Sequence, residues 1–314
     1  MSKEGWTLFS VPKAFHGHFG TIQTNAIRSW TLLRPRPEII LFGDDPGTAE
    51  IARELQIRHE PQVERNEFST PLVSSIFSCA QQLASHDVLC YINADIILTR
   101  QFMAAIEQIP SQFLAASFLM IGRKQTLDLP QLLDFDDPAW EHTLVERARA
   151  SGRFVTSDSD YFVFPKGLYE NVPPFAVGRC FWSPWFVWEA RRRKVPVIDA
   201  TAVIPALESY HDYSHAASNR HSKKLGGPEY ETNRKLFRGC KYLTTVDATL
   251  QMTDQGLTPA PASRRVASLF VRGQYALYFL AKRSLPYSWP LILFYRATRR
   301  LWYAIEQILF SPTS

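Results

Sequence analysis

Apolar positions in the first 110 residues alternate between two rhythms. Short continuous runs fall at Trp6 to Val11, Glu38 to Phe42, Ile57 to His59 and Leu89 to Ile92, as in strands covered on both faces. Between them the spacing becomes three and four. Thr21 to Leu33 gathers Ile22, Ala26, Ile27, Trp30 and Leu33 on one helical face, and Leu72 to Ala84 does the same with Leu72, Val73, Ile76, Phe77, Ala80 and Leu83. Further helices are predicted over Thr48 to Leu55 and from about Arg100, and Gly43-Asp44-Asp45-Pro46-Gly47 is a dense turn signal. The resulting order of strand and helix predicts a parallel sheet with right-handed crossovers. No Gly-x-Gly-x-x-Gly follows a strand, which disfavours a dinucleotide site of that type.

The pattern continues to about Pro205 as a second half of the same domain. Phe113 to Phe118 and Tyr161 to Phe164 are strand-like, Pro184 to Arg193 is a Trp- and Arg-rich helix, and Val195 to Ile204 holds one or two short strands. Asp134-Phe135-Asp136-Asp137-Pro138 reads as a solvated turn that starts a helix. At 314 residues the chain suits one large α/β domain with an appendage. The boundaries expected are a domain over 1–240, a linker over 241–263 and a basic aromatic helical tail over 264–314.

Composition argues against disorder over most of the chain, since 46% of residues are apolar and 13% aromatic, enough to bury a large core. The four cysteines, Cys79, Cys90, Cys180 and Cys240, show no Cys-x-x-Cys pairing, which argues against a zinc ribbon and fits buried thiols in a reducing cytosol. The N-terminus enters a strand at once, without a charged region followed by an apolar one, so a cytoplasmic location is expected. Charge is uneven. From Ala260 onward eight basic residues face one acidic residue, Glu306, so the +5 of the whole chain covers a slightly acidic body. Such a distribution does not suit a nucleic-acid reader, whose positive charge lies on the folded domain. It suits a body tethered to an anionic membrane surface.

The chemistry concentrates in Leu89-Cys90-Tyr91-Ile92-Asn93-Ala94-Asp95-Ile96-Ile97-Leu98, an apolar run broken by two oxygen-bearing side chains two residues apart. In α/β sheets ligands collect beyond the carboxyl ends of strands, and residues two apart in extended chain face the same side. Asn93 and Asp95 can therefore aim oxygens at one hard cation, Mn²⁺ or Mg²⁺. The alternative is a polar turn in which Asp95 caps the next helix.

Seven segments together resemble the GT-A-type nucleotide-sugar glycosyltransferases, of the sort that opens with a strand followed by Pro-Lys. They are Phe9-Ser10-Val11-Pro12-Lys13-Ala14-Phe15, Ile22 to Trp30, Ile40-Leu41-Phe42-Gly43-Asp44-Asp45, Asn66-Glu67-Phe68-Ser69-Thr70-Pro71-Leu72, Tyr91-Ile92-Asn93-Ala94-Asp95, Asp160 to Phe164 and His211-Asp212-Tyr213-Ser214-His215. The resemblance implies a Rossmann-like, mostly parallel sheet with flanking helices, with the C-terminal basic amphipathic helices added to it. It also implies a nucleoside-diphosphate sugar as donor and a glycan or lipid-linked acceptor. Asp95 and Asn93 would hold the metal, with His211 or His215 completing its coordination. Lys13, Gln23, Asn25, Asp44, Asp45, Asn66 and Asn93 fall at donor-binding positions, Lys13 as a point charge near the diphosphate and the Asp pair near the base or ribose.

One departure bears on catalysis. Chains of this pattern tend to carry Trp-Asp-Asn-Trp where this one reads Trp182-Ser183-Pro184-Trp185, and Ser183 cannot serve as the general base of an inverting displacement. Either Asp158, Asp160 or Glu189 takes that role, or the enzyme is retaining, or the module binds nucleotide-sugar or glycan without transfer. A sugar-1-phosphate nucleotidyltransferase is disfavoured because no Gly-rich, Arg-containing loop follows the first strand. Trp182 and Trp185 are either sugar-stacking or core residues.

The tail divides into Val266 to Arg283 and Pro290 to Leu309. Arg272, Pro286 and Pro290 interrupt it, so no run of the ~20 apolar residues needed to span a bilayer occurs. Arg296, Arg299 and Arg300 beside Phe294, Tyr295, Leu301, Trp302 and Ile305 give the pattern of an interfacial helix. Packing on the body, or a homo-oligomer through these helices, is the alternative.

Overall fold

A computed structural model describes residues 5–154, 159–210, 226–283 and 297–298. The alternating half of the sequence builds β1 (Thr7–Ser10), α1 (Gly17–Thr31), β2 (Glu38–Phe42), α2 (Thr48–Glu54), β3 (Arg58–Glu60), α3 (Val73–Leu83), β4 (Val88–Ile92), β5 (Ile96–Ile97) and α4 (Arg100–Glu107). Every element expected there is present, each within four residues of its predicted start. Then follow α5 (Ser111–Ala115), β6 (Leu119–Gly122), β7 (Lys124–Leu127), α6 (Trp140–Ser151), β8 (Arg153–Phe154), β9 (Tyr161–Pro165), α7 (Trp182–Arg192), β10 (Val197–Asp199) and β11 (Ala206–Ser209). The described chain ends with α8 (Pro228–Leu236), a short 3-10 turn at Thr245–Asp247, β12 (Leu250–Thr253), β13 (Gly256–Pro259) and α9 (Ser263–Arg283).

Nine strands form one sheet in the order β13-β12-β10-β6-β9-β4-β1-β2-β3, and four form a smaller sheet in the order β5-β11-β7-β8. The large sheet is mostly parallel. Within it β9 runs antiparallel to both β4 and β6, and β13 is antiparallel to β12 at one edge. The protein is thus mixed α/β with helices flanking a large, mostly parallel sheet.

Alternation across the strands divides the core. On one side Leu8, Leu41, Cys90 and Ile92 pack with Ile27 and Trp30 of α1. On the other, Phe9, Phe42 and Tyr91 meet Phe77 of α3 and Phe186 of α7. Phe77 lies at the centre, stacked on Phe186 at 4.4 Å and edge-on to Phe9 at 5.1 Å between ring centroids. Trp182 and Trp185 belong to this cluster and are buried, Trp182 against Tyr91 and Trp185 against Phe186. Both rings are occupied by protein contacts rather than presented for stacking on a sugar.

Three expectations change. Phe113 to Phe118 is not a strand: its start is helical in α5 and the strand begins at Leu119, because a short apolar run has no periodicity that separates the two. The segment 241–263 is not a linker, since it supplies β12 and β13 to the large sheet. The start of the tail is docked on the body. Arg264 Nη1 lies 2.7 Å from Asp199 Oδ2, Arg272 Nη2 lies 2.6 Å from Asp247 Oδ1, and Ser268 Oγ donates to the same Asp247 oxygen at 2.6 Å. Ala267 and Val271 are buried with Val246. Among the described residues no helix is long and apolar enough to cross a membrane. The interfacial segment Pro290 to Leu309, with Arg296, Arg299 and Arg300, lies outside the described residues apart from Ala297 and Thr298.

Candidate functional site

The ends of β4, β9, β6 and β11 bring one group of polar side chains together. Strand β4 is apolar through Ile92, and its ladder is held to β1 by Ser10 Oγ, which donates to the Ile92 carbonyl at 2.6 Å. Beyond it the chain turns through Asn93-Ala94-Asp95, fixed by the Ile96 amide donating to the Asn93 carbonyl at 3.1 Å. Because β9 is reversed, its beginning rather than its end arrives here, and Asp160 lies beside Asn93. The Asn93 amide donates to the Asp160 carbonyl at 3.3 Å, and Asn93 Nδ2 to Asp160 Oδ1 at 3.4 Å. From the smaller sheet come Lys124 of β7 and Glu208 of β11.

Lys124 ties the group together. Its Nζ is bonded to Glu208 Oε1 and lies 3.4 Å from Asp160 Oδ1, and its backbone amide donates to Asp160 Oδ2 at 3.3 Å. Burial pushes the Glu208 carboxyl up to about 7; Lys124 opposes that rise, while Asp95 and Asp160 add to it. Three carboxylates therefore share one field with a single ammonium group. Asp95 Oδ1 is buried and accepts no hydrogen bond among the described residues. A buried carboxylate oxygen without a donor is costly, and a cation satisfies it.

The hard oxygens of Asp95 and Asn93 fit Mg²⁺ or Mn²⁺, ions that take one or two carboxylates and fill the remaining positions with water and phosphate oxygens. No set of three or more His, Cys, Asp or Glu side chains among the described residues is arranged to hold a metal by itself. His211 and His215 lie outside the described residues, as does Asp158.

The other residues expected at the site are distributed more widely. Gln23 grips the backbone of Lys13 at both ends, accepting from its amide at 2.8 Å and donating to its carbonyl at 2.9 Å. Lys13 is exposed, with its ammonium 5.4 Å from the centre of the Phe19 ring. Asn25 is buried and spent on a loop, donating to the Gln131 carbonyl and accepting from the Leu133 amide, both at 2.9 Å. Asp44 and Asp45, beyond β2, both pair with Arg65. Asn66 closes its own turn by accepting from the Phe68 and Thr70 amides, and donates to Glu229. Burial would raise the Glu229 carboxyl, but bonds from Asn66, Thr70 and Arg179 hold it below its ordinary value.

Helix α7 directs its start at the site, where Ser183 Oγ donates to the Ser159 carbonyl at 3.2 Å. Glu189 lies six residues further along, ~9 Å down the helix axis. It is paired bidentately with Arg192. The structure thus brings Asn93, Asp95 and Asp160 together and leaves Glu189 on another part of the surface. Sequence reasoning missed Lys124 and Glu208. Glu208 carried a signal, a lone charge in the apolar run Ala206-Leu207-Glu208-Ser209 just before the His211 segment. Lys124 had none.

No family model and no curated protein sequence matches the chain. Solved structures do. Glucosyl-3-phosphoglycerate synthase from Mycobacterium tuberculosis, in complex with Mg²⁺ and UDP, aligns over 82% of this chain and 88% of its own at 12% identity, with a TM-score of 0.44. A Desulfovibrio desulfuricans G20 protein provisionally described as a nucleotide-diphospho-sugar transferase aligns over 73% and 94% at 11% identity, TM-score 0.40. Residues 1–349 of S. aureus TarS, in complex with UDP-GlcNAc, align over 66% of this chain and 56% of that one at 13% identity, TM-score 0.38.

Proposed function

We propose that the protein is a metal-dependent glycosyltransferase of GT-A type, moving a sugar from a nucleoside-diphosphate donor to a glycan or lipid-linked acceptor near a membrane, on its cytoplasmic side. The observation that carries this reading is the buried carboxylate oxygen of Asp95 beyond the end of β4, beside Asn93 and Asp160, which accepts no hydrogen bond among the described residues. Asp95, with Asn93 next to it, would hold a hard divalent cation, whose chemistry is to stabilise the charge that develops on a diphosphate leaving group.

The chain's own residues supply the rest. Lys124 holds Asp160 in place through two contacts, and a carboxylate so fixed beside Asn93 would position the donor sugar. Lys13, anchored through its backbone by Gln23, offers a point charge at the end of β1. Arg65 keeps Asp44 and Asp45 oriented at the end of β2, where carboxylates can accept from base or ribose donors.

The experiment is a thermal-shift titration of UDP and GDP with and without Mn²⁺ or Mg²⁺, because a ligand that binds only the native state raises apparent stability. Wild type should show a metal-dependent shift, and Asp95→Ala should keep its fold and lose that shift. A full metal-dependent shift in the variant rejects the site. A second reading, a module that binds donor without transfer, is favoured by Ser183 standing at the start of α7 while Glu189 is paired with Arg192. Donor hydrolysis or transfer supports the enzyme; binding without turnover over a broad acceptor panel supports the module.

A further inference from the structure

A cavity of about 710 Å³ lies between Phe181 before α7, the end of α8, the loop that follows it and α9. Its rim is cationic, with Arg234, Lys235, Arg238, Lys241 and Arg272. Two of these have carboxylate partners, Arg234 with Glu231 and Arg272 with Asp247. Lys235, Arg238 and Lys241 are exposed and make no side-chain ion pair among the described residues. The wall is aromatic. Tyr242 stacks on Tyr275 with ring centroids 3.7 Å apart, and Phe237 meets Tyr242 edge-on at 6.2 Å.

What the lining lacks is equally informative. It contains no Asp, Glu, Asn, Gln, Ser or Thr among the described residues. Sugars and bases carry several N–H and O–H donors that need acceptors, and apart from the hydroxyls of Tyr242 and Tyr275 this lining offers no side-chain oxygen to accept them. A phosphate needs only donors and cations, and a hydrocarbon chain needs only an apolar wall. Beside the cavity α9 exposes an apolar stripe. Val266 and Leu269 are 70% and 68% exposed, and the stripe continues one and two turns on through Gly273 to Ala276, which lines the cavity.

We propose that this cavity binds the phosphate group of an anionic lipid, with the start of its hydrocarbon against the tyrosine wall and the stripe of α9 lying along the bilayer. The proposal makes no assumption about the strand-end site. Neutral amphiphiles would lack the attraction of the three exposed cations, and inorganic phosphate would lack the wall.

The test is calorimetric titration of the full chain with octyl phosphate, inorganic phosphate and 1-octanol, followed by flotation with phosphatidylcholine vesicles with and without phosphatidic acid. Octyl phosphate should bind at least tenfold more tightly than either control. Lys235→Gln/Arg238→Gln/Lys241→Gln should weaken it by roughly fivefold per residue, on the order of a hundredfold together. These side chains are exposed, so the variant should unfold at the wild-type denaturant midpoint. Vesicle binding should require phosphatidic acid and weaken in Val266→Ser/Leu269→Ser, while octyl phosphate binding in that variant stays unchanged. Equal binding of inorganic phosphate or of 1-octanol overturns the proposal, as does an unaffected triple variant. Octyl phosphate binding without capture by phosphatidic acid vesicles overturns the bilayer as its source.

Discussion

At the scale of single residues, Glu208 gives the clearest dependence on pH. Its folded carboxyl titrates near 7 against 4.5 for the ordinary group, chiefly because it is buried. Between those values the folded chain keeps a proton that the unfolded chain has released. Stability from this group is therefore fully present below about 4.5 and is lost as pH rises towards 7, on the order of 1 kcal/mol per pH unit. Glu208→Gln cannot release that proton. Urea unfolding at pH 5 and pH 8 should show wild type losing stability relative to the variant over that interval, and parallel behaviour would show that Glu208 does not titrate there. The same residue illustrates what the sequence leaves hidden. Asn93 and Asp95 were legible because they interrupt one apolar run two positions apart. The convergence of Lys124, Asp160 and Glu208 depends on two sheets meeting, which no local pattern encodes. Asn25 and Asn66 carry a different lesson, since the side chain that suits a ligand also closes loops and turns, as both do here.

At the scale of elements, spacing of three and four over more than ten residues located α1 and α3, and continuous apolar runs between such segments located the strands β1, β2 and β4. β12 and β13 went unread. Leu250-Gln251-Met252-Thr253 and Gly256-Leu257-Thr258-Pro259 are short and half-buried, and only the turn at Gly256, with φ of 107°, marks the hairpin. The docking of α9 was also invisible, because its arginines read as surface charge until Asp199 and Asp247 are placed beside them. Asp199 is 3% exposed and its Oδ2 faces Arg264. Among the described residues, Arg264→Ala leaves that carboxylate buried with Thr201 alone bonded to its other oxygen, and such a change costs about 3–5 kcal/mol. Chemical denaturation should register a loss of that order. A change below about 1 kcal/mol would mean that water replaces the arginine, which is the range of exposed pairs.

At the scale of the molecule, the slightly acidic body and basic tail are not two separate units. Removing residues from Ala260 onward would strip Arg264, Ser268 and Arg272 from the carboxylates they satisfy, so that truncation should yield an unstable chain. Ending the chain after Arg283 should instead preserve cooperative unfolding and octyl phosphate binding. It removes Arg296, Arg299 and Arg300, so binding to anionic vesicles should weaken by roughly a hundredfold, at about 1 kcal/mol per basic residue. Cosedimentation of both truncations with vesicles checks the point, and undiminished binding after Arg283 would assign the membrane contact to α9 and the body alone.

The Asp199–Arg264 pair also constrains how the protein is made. The carboxylate leaves the ribosome 65 residues before its partner, and domains tend to fold from the N-terminus during synthesis. Strands β1 to β4 can pair early. The side of the sheet at β10, β12 and β13 stays open until α9 has emerged, with a buried acid awaiting its base and a strand edge still unpaired. A nascent chain stalled near residue 250 is thus the species that a chaperone would hold and a protease would cut.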